Sequence, residues 1–74
     1  MDFETKRTLI EKLTRKGFVC EYYGVNIICR LNKHRVSIAK EKFANGNVVF
    51  DGTSYEVNEK TLDDVVGIIR KKVK

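Results

Sequence analysis

The spacing of hydrophobic residues changes twice along the 74-residue chain, from helical at the start to alternating in the middle and back to helical at the end. The first helical stretch runs from Asp2, which is suited to cap a helix, to Gly17, which is suited to end one. Its apolar stripe consists of Phe3, Leu9, Ile10 and Leu13. Lys6 falls inside this stripe, and we expect its ammonium to extend past the edge of the core; the alternative is an ion pair with a buried acid.

The alternating stretch predicts three strands, 18–22, 25–31 and 34–39, which are joined by tight turns. A turn at Asn32-Lys33 and another at Tyr23-Gly24 fix the pairing of neighbouring strands. Both turns place the same apolar side chains on one face of the sheet: Phe18, Cys20, Tyr22, Ile27, Cys29, Leu31, Val36 and Ile38. We therefore expect an antiparallel meander with one face turned toward a core.

Turn signals at Asn45-Gly46 and Asp51-Gly52 predict a further strand over 47–50, and 53–57 is a candidate fifth strand. The segment 40–44 is either a charged link or an extension of the third strand. A final helix follows, capped by Asn58 or Thr61, with an apolar stripe of Leu62, Val65, Val66, Ile69 and Val73. The chain is thus expected to be a single α+β domain over 1–74. Its antiparallel sheet has three to five strands, with the N- and C-terminal helices packed on one face.

Composition limits the classes of function that are possible for the chain but does not identify its function. The net charge of +5, with 15 Lys and Arg against 10 Asp and Glu, favours an anionic partner. No apolar run approaches the ~20 residues of a membrane span, and residues 1–7 do not resemble a signal peptide. We therefore expect a cytoplasmic protein in which Cys20 and Cys29 are reduced, packed thiols. Two cysteines and the lone His34 are too few for the usual zinc site, so no metal or other cofactor is expected.

Catalytic motifs are missing from the sequence. It contains no glycine-rich phosphate loop, no nucleophile elbow and no paired carboxylates. The strand register places His34 at a strand end on the core face, where a structural role is expected; the alternative is a catalytic or pH-sensing role. We therefore expect the chain not to be an enzyme.

The first candidate binding surface lies on the sheet face opposite the core. The register places Arg30 directly across from Arg35, although like charges in that position destabilise a sheet. Together with Lys33, Lys40 and Lys42 these arginines form a line that we call the basic strip. It predicts an anion-binding surface for nucleic acid or for an acidic protein surface. The alternative is a solvated face with Glu21 or Glu41 as the counter-charge.

A second candidate lies on the outer side of the last helix. Gly67 is predicted to face solvent in mid-helix, where glycine costs about 1 kcal/mol relative to alanine. Ile68 lies just off the apolar stripe and is expected to be exposed. The pair could receive a partner protein; the alternative is that neither residue has a role beyond the helix.

Four short segments carry a resemblance to a known fold: Leu9–Leu13, Gly17-Phe18, Lys33–Ile38 and Thr61-Leu62. In an α-β-β-β-α order, these resemble the double-stranded-RNA-binding fold and, within it, the HicA-type mRNA interferase toxins. Such toxins carry a catalytic histidine just after the glycine that opens strand two.

The corresponding stretch here is Gly24-Val25-Asn26-Ile27, which has no histidine, and Asp63-Asp64 stand where double-stranded-RNA binders of this fold carry lysines. The resemblance thus implies the fold and argues against nuclease activity.

These observations favour a non-enzymatic binding module. We expect a protein-binding inhibitor or adaptor, of the phage or mobile-element type, that acts on a host factor. The alternative is an RNA- or DNA-binding protein that uses the basic sheet face. The sequence leaves the oligomeric state open.

Overall fold

The computed structural model of the chain describes residues 1–39 and 47–74, which form two helices and a five-stranded antiparallel sheet. The elements are α1 (Phe3–Lys16), β1 (Val19–Tyr23), β2 (Asn26–Leu31), β3 (His34–Ala39), β4 (Asn47–Phe50), β5 (Thr53–Glu56) and α2 (Leu62–Val73). The strands lie in the sheet in the order β1-β2-β3-β4-β5, so each pairs with its neighbour in sequence. This arrangement confirms the α+β class and includes both additional strands.

The ends of α1 form as the sequence predicts. Asp2 Oδ1 accepts a hydrogen bond from the Thr5 backbone N–H at 2.8 Å, and Gly17 ends the helix with φ 121°. Phe3 was predicted to belong to the buried apolar stripe of α1, but it is 55% exposed at the first turn. Lys6, one turn later, is only 9% exposed.

The turn before α2 uses both residues that were considered as its cap. Asn58 Oδ1 accepts hydrogen bonds from the backbone N–H groups of Lys60 and Thr61. The Thr61 hydroxyl accepts from the Asn58 N–H and donates to the Glu56 carbonyl. This reciprocal network directs the chain from β5 into α2.

The second hairpin has the predicted register, with Cys29 opposite Val36 and Arg30 opposite Arg35. In the first hairpin the turn is Gly24-Val25, one residue later than expected, and this shifts the pairing by two residues. Gly24 has φ 58°, a left-handed conformation that glycine adopts without strain. The predicted turn placed Tyr23 at this position, where the same conformation would be costly for a side chain. The shift is even, so each side chain stays on its predicted face.

The shifted register brings Cys20 directly opposite Cys29, and the two are joined by a disulfide. The expectation of two reduced thiols is therefore wrong. The bond ties β1 to β2, and it removes the support that the cysteines gave to a cytoplasmic location. In the described part of the chain, no helix combines the length and the apolarity needed to cross a membrane.

Both helices pack on the same face of the sheet. Within the described ranges the core comprises fourteen buried residues from α1, α2, the strands and their flanking segments, among them Leu9, Phe18, Cys29, Phe50 and Ile69. The helices leave the opposite face of the sheet uncovered; we call it the outer face. The basic strip was predicted on the outer face, and the edges of the sheet are formed by β1 and β5.

Candidate interaction surfaces

The centre of the basic strip forms as predicted. Arg30 and Arg35 lie directly opposite each other on the outer face, and both are exposed. Leu31 and His34 flank the two-residue turn and form its hydrogen-bonded pair, so Arg30 and Arg35 occupy the next, non-hydrogen-bonded pair, where side chains approach more closely. Within residues 1–39 and 47–74, neither guanidinium has a carboxylate within 4.0 Å. Lys33 is exposed in the adjoining turn, whereas Lys40 and Lys42 lie outside the described residues.

The rest of the outer face differs from the surface that was expected. Ile28 belongs to this face by its register but is only 4% exposed, although neither helix lies on this face. The Arg30 guanidinium lies 5.7 Å from the centre of the Tyr23 ring. Tyr23 pairs with Asn26, four residues before Arg30 on β2, so this contact spans the position of Ile28 between them. Arg30 is therefore partly engaged by its own chain. Arg35 lines a shallow hollow of about 290 Å³ together with Ser37, Val49, Asp51 and Gly52.

The second predicted surface lies on the other side of the molecule from the basic strip, because α2 packs on the core face. Gly67 is exposed as predicted, and a Cβ atom added to it would meet no atom within 4 Å. Ile68 is half-buried, not exposed, so the expected apolar contact is reduced. The two candidate surfaces therefore do not join into one site.

His34 lies at the start of β3, and its Nδ1 is 2.6 Å from Asp51 Oδ2. The other carboxylate oxygen of Asp51 accepts the Arg35 backbone N–H at 2.8 Å. The hydrogen bond with His34 and then the one from Arg35 hold the pKa of Asp51 below its ordinary value.

A histidine oriented by an aspartate resembles part of a hydrolase site. Among the described residues, however, no serine, threonine or cysteine side chain is hydrogen-bonded to His34. The pair instead joins β3 to the β4–β5 turn.

The sequence analysis missed a third surface, at the β1 edge of the sheet. Of the six large hydrophobic residues that are exposed in the described ranges, only Val49 lies elsewhere. The other five surround β1, and we call them the edge surface: Phe3, Val19, Tyr22, Tyr23 and Val25, each between 48% and 72% exposed. They lie on both faces of β1 and in the segments beside it, and exposed apolar groups that gather in one region mark interaction sites more often than scattered ones do.

A groove of about 490 Å³ lies between α1 and the β1–β2 hairpin, beside this edge. Its apolar wall includes Phe3 and Ile10 from α1 and Tyr22 and Ile27 from the strands. The remaining lining residues are Lys6, Arg7 and Glu11. We call this cavity the edge groove.

The charges in the edge groove are unevenly paired. The Arg7 Nε lies 3.2 Å from the Glu11 carboxylate, so these two residues neutralise each other. In the described ranges the Lys6 ammonium has no acid within 4.0 Å and no hydrogen-bond partner. Each fully enclosed side-chain nitrogen in these ranges does have a partner. The Lys6 ammonium therefore reaches solvent at the groove, which agrees with the expectation that it extends past the core edge.

The sequence contained a signal for this surface. Val19, Tyr22 and Tyr23 place large side chains on both faces of a five-residue strand, whereas an alternating strand would place them on one face. The position of β1 at the sheet edge, which is what exposes these residues, depends on the whole strand order.

Comparison with known proteins assigns no family to this chain. No protein-family model matches it, and neither the curated proteins nor the solved structures include a significant match. The function therefore has to be inferred from the surfaces themselves.

Proposed function

We propose that this protein is a non-catalytic protein-binding domain that contacts its partner through the edge surface and the edge groove. The observation that carries the proposal is that the exposed large hydrophobic residues gather around β1. Protein interfaces have apolar, aromatic-rich centres with polar rims, and two tyrosines and a phenylalanine on one edge match that composition.

An unprotected edge strand adds a second means of binding. Among the strands that the structure describes, β1 has a paired neighbour, β2, on one side only, so its other side can pair with a strand of another protein. This mode of binding requires a complementary surface and no catalytic group. It therefore suits an inhibitor or adaptor, including one of phage or mobile-element type that acts on a host factor.

Nucleic-acid binding through the outer face is the second candidate. It is favoured by the Arg30–Arg35 pair, which has no carboxylate partner within the described ranges. We rank it second because Arg30 contacts Tyr23 and Ile28 is buried, which leaves few groups for bases to stack on. If this candidate is correct, binding to a random-sequence RNA or DNA weakens linearly with the logarithm of salt concentration, and Arg35→Glu weakens it further.

The compartment in which the protein works belongs to the proposal as well. A cytoplasmic location is expected from the sequence, whereas a Cys20–Cys29 disulfide is typical of oxidising compartments. Labelling of free thiols in protein recovered from its own cells distinguishes the two. Two labelled cysteines indicate the cytoplasm, and none indicates an oxidising compartment.

The proposed function is tested by capture from lysates of the source cell with two matched variants. Phe3→Glu places a charge in the edge groove, and an acid in the first turn of α1 is compatible with the helix dipole. Val49→Glu makes the same change at the exposed hydrophobic residue that lies on the outer face. We expect the wild type and Val49→Glu to capture the same protein at a stoichiometric level, with Phe3→Glu losing it.

Nuclease treatment of each lysate separates the two candidates. Protein captured through the edge surface survives the treatment. Equal capture by all three proteins, or recovery that disappears with nuclease, would contradict the proposed function.

A further inference from the structure

We infer that the edge groove recognises an extended peptide segment of the partner that carries a large apolar side chain and, two residues away, an aspartate or glutamate. The inference rests on the proposed function and specifies its ligand. It is carried by Lys6, a largely buried cation in a groove whose other two charged residues, Arg7 and Glu11, pair with each other.

The side chain of Lys6 creates the requirement for an acid. It is only 9% exposed, and it lines the groove without a carboxylate partner within the described ranges. The ammonium reaches solvent only at the groove, so a ligand that fills the groove would bury it, and burying a cation is unfavourable unless an anion or hydrogen-bond acceptors accompany it. Arg7 and Glu11 are occupied with each other, so within the described ranges Lys6 is the groove residue whose charge has no partner. A ligand carboxylate placed here would form a charge-assisted hydrogen bond with the Lys6 ammonium, in a site from which water is partly excluded.

The backbone of β1 defines the shape of the ligand. Tyr23 and Asn26 flank the Gly24-Val25 turn and form its hydrogen-bonded pair, so the N–H and C=O groups of Cys20, three residues earlier, point away from β2. Among the described residues no other strand lies on that side of β1. A peptide that adds there as a strand directs alternate side chains toward α1, where the groove lies.

The spacing within the ligand follows from strand geometry. Side chains on one face of a strand recur every second residue, roughly 7 Å apart. An apolar side chain seated between Phe3 and Tyr22 therefore places the side chain two residues away within the same groove, where it can approach Lys6. The expected motif is an apolar residue and an acid separated by one residue, in either order.

A second copy of this chain fits the groove less well. Pairing of β1 with another β1 across a two-fold axis perpendicular to the sheet keeps the groove faces of both copies on the same side. The side chains of β1 on that face are Cys20 and Tyr22, so the partner strand offers no carboxylate to Lys6. Each copy also carries a net charge of +5, which opposes self-association.

Fluorescence polarisation tests the inference with two labelled peptides. The first has phenylalanine and aspartate two positions apart in a short background of valine and threonine, and the second has asparagine in place of aspartate. We expect the wild type to bind the aspartate peptide on the order of tenfold more tightly, since hydrogen bonds to charged groups contribute about 1.5–3 kcal/mol. Lys6→Met should bind both peptides equally. The control Lys16→Met, which removes the same charge from the exposed end of α1, should keep the wild-type preference.

Methionine is long and apolar, so Lys6→Met is expected to fold, and thermal unfolding of both variants verifies this. Equal binding of the two peptides by the wild type, with loss of both in Phe3→Glu, overturns the role of Lys6 and leaves the proposed function intact. Binding of neither peptide overturns the inferred ligand, while the lysate capture tests the proposed function separately. Self-association that is abolished by Phe3→Glu would identify a second copy as the occupant and also overturn the inference.

Discussion

The two edge strands of the sheet differ in how they meet solvent. β5 is four residues long and presents Thr53, Ser54 and Glu56 as exposed polar side chains, with Tyr55 half-buried against the core. β1 presents exposed Val19, Tyr22 and Tyr23 and borders an apolar groove. Short, polar edges protect a sheet from unwanted pairing, and β5 has both properties. This contrast is the reason that we propose β1, and not β5, as the edge that contacts a partner.

The strands at the two edges are also held in different ways. A disulfide joins β1 to β2, whereas the turn that leads into β5 is held through Asp51, which bonds His34 and the Arg35 backbone N–H. A covalent bond can keep an exposed, apolar strand in place when the partner is absent. The polar contacts suffice at β5, because that edge has no exposed apolar surface to support.

Chemical reduction of the disulfide should cause the largest change in the relative stability of the two edge strands. The bond closes a loop between residues nine apart, and loop-closure entropy gives a loss of about 2.5 kcal/mol in the free energy of unfolding. Denaturant titration of the oxidised and reduced chain measures the loss. Amide hydrogen exchange should accelerate in β1 and remain unchanged in β5, which serves as the internal control. Equal acceleration at both edges would show that the disulfide does not act locally.

Removal of one outward-facing amide donor from each edge should affect binding unequally. In a chemically synthesised chain, N-methylation of Cys20 blocks the open side of β1, and N-methylation of Ser54 blocks the equivalent side of β5. We expect the first to weaken binding of the aspartate peptide about tenfold, which corresponds to one lost hydrogen bond, and the second to leave it within about twofold. Comparable losses in both proteins would remove the distinction between the edges.

The sequence analysis predicted the order of the elements, the second hairpin and the core face because these depend on local periodicity and turn chemistry. The first hairpin was misregistered although Gly24 carried the needed information. A glycine is suited to the first central position of a tight turn, and placing it second moved Cys20 away from Cys29. The assignment of side chains to the two faces of the sheet was still correct, because the register shifts by two residues. The disulfide could not be predicted without the correct register.

The candidate sites were predictable to a smaller extent. The Arg30–Arg35 pair followed from one correct turn. The edge groove requires α1, β1 and β2 to meet in space, so no local pattern identifies it. The exposure of Phe3 was missed for the same reason, since its helical spacing placed it with Leu9 and Leu13.

The surface around Gly67 on α2 lies on the helical side of the sheet and should be neutral in binding. Gly67→Ala adds a methyl group into open space, so it should stabilise the protein by about 0.5–1 kcal/mol through helix propensity. Thermal unfolding measures the gain, and lysate capture should be unchanged. Loss of capture in this variant would move the binding site from the β1 edge to α2.

The smallest effect is expected on the outer face between the two edges. Arg35→Gln removes one of two closely paired like charges and should raise the free energy of unfolding by a few tenths of a kcal/mol at low salt. The gain should fade at high salt, because exposed charges are screened. Lys33→Gln, in the adjoining turn, is the matched control and should change stability less. A loss of stability in Arg35→Gln would mean that the arginine has a structural role.

Photo-crosslinking in the source cell tests the central claim most directly. Benzoylphenylalanine is introduced singly in place of Tyr22 in the edge groove, Arg35 on the outer face or Gly67 on α2. We expect a discrete protein adduct from the position of Tyr22 and none from the other two. Adducts from the position of Arg35 or Gly67, with none from that of Tyr22, would contradict the assignment of the β1 edge as the binding surface.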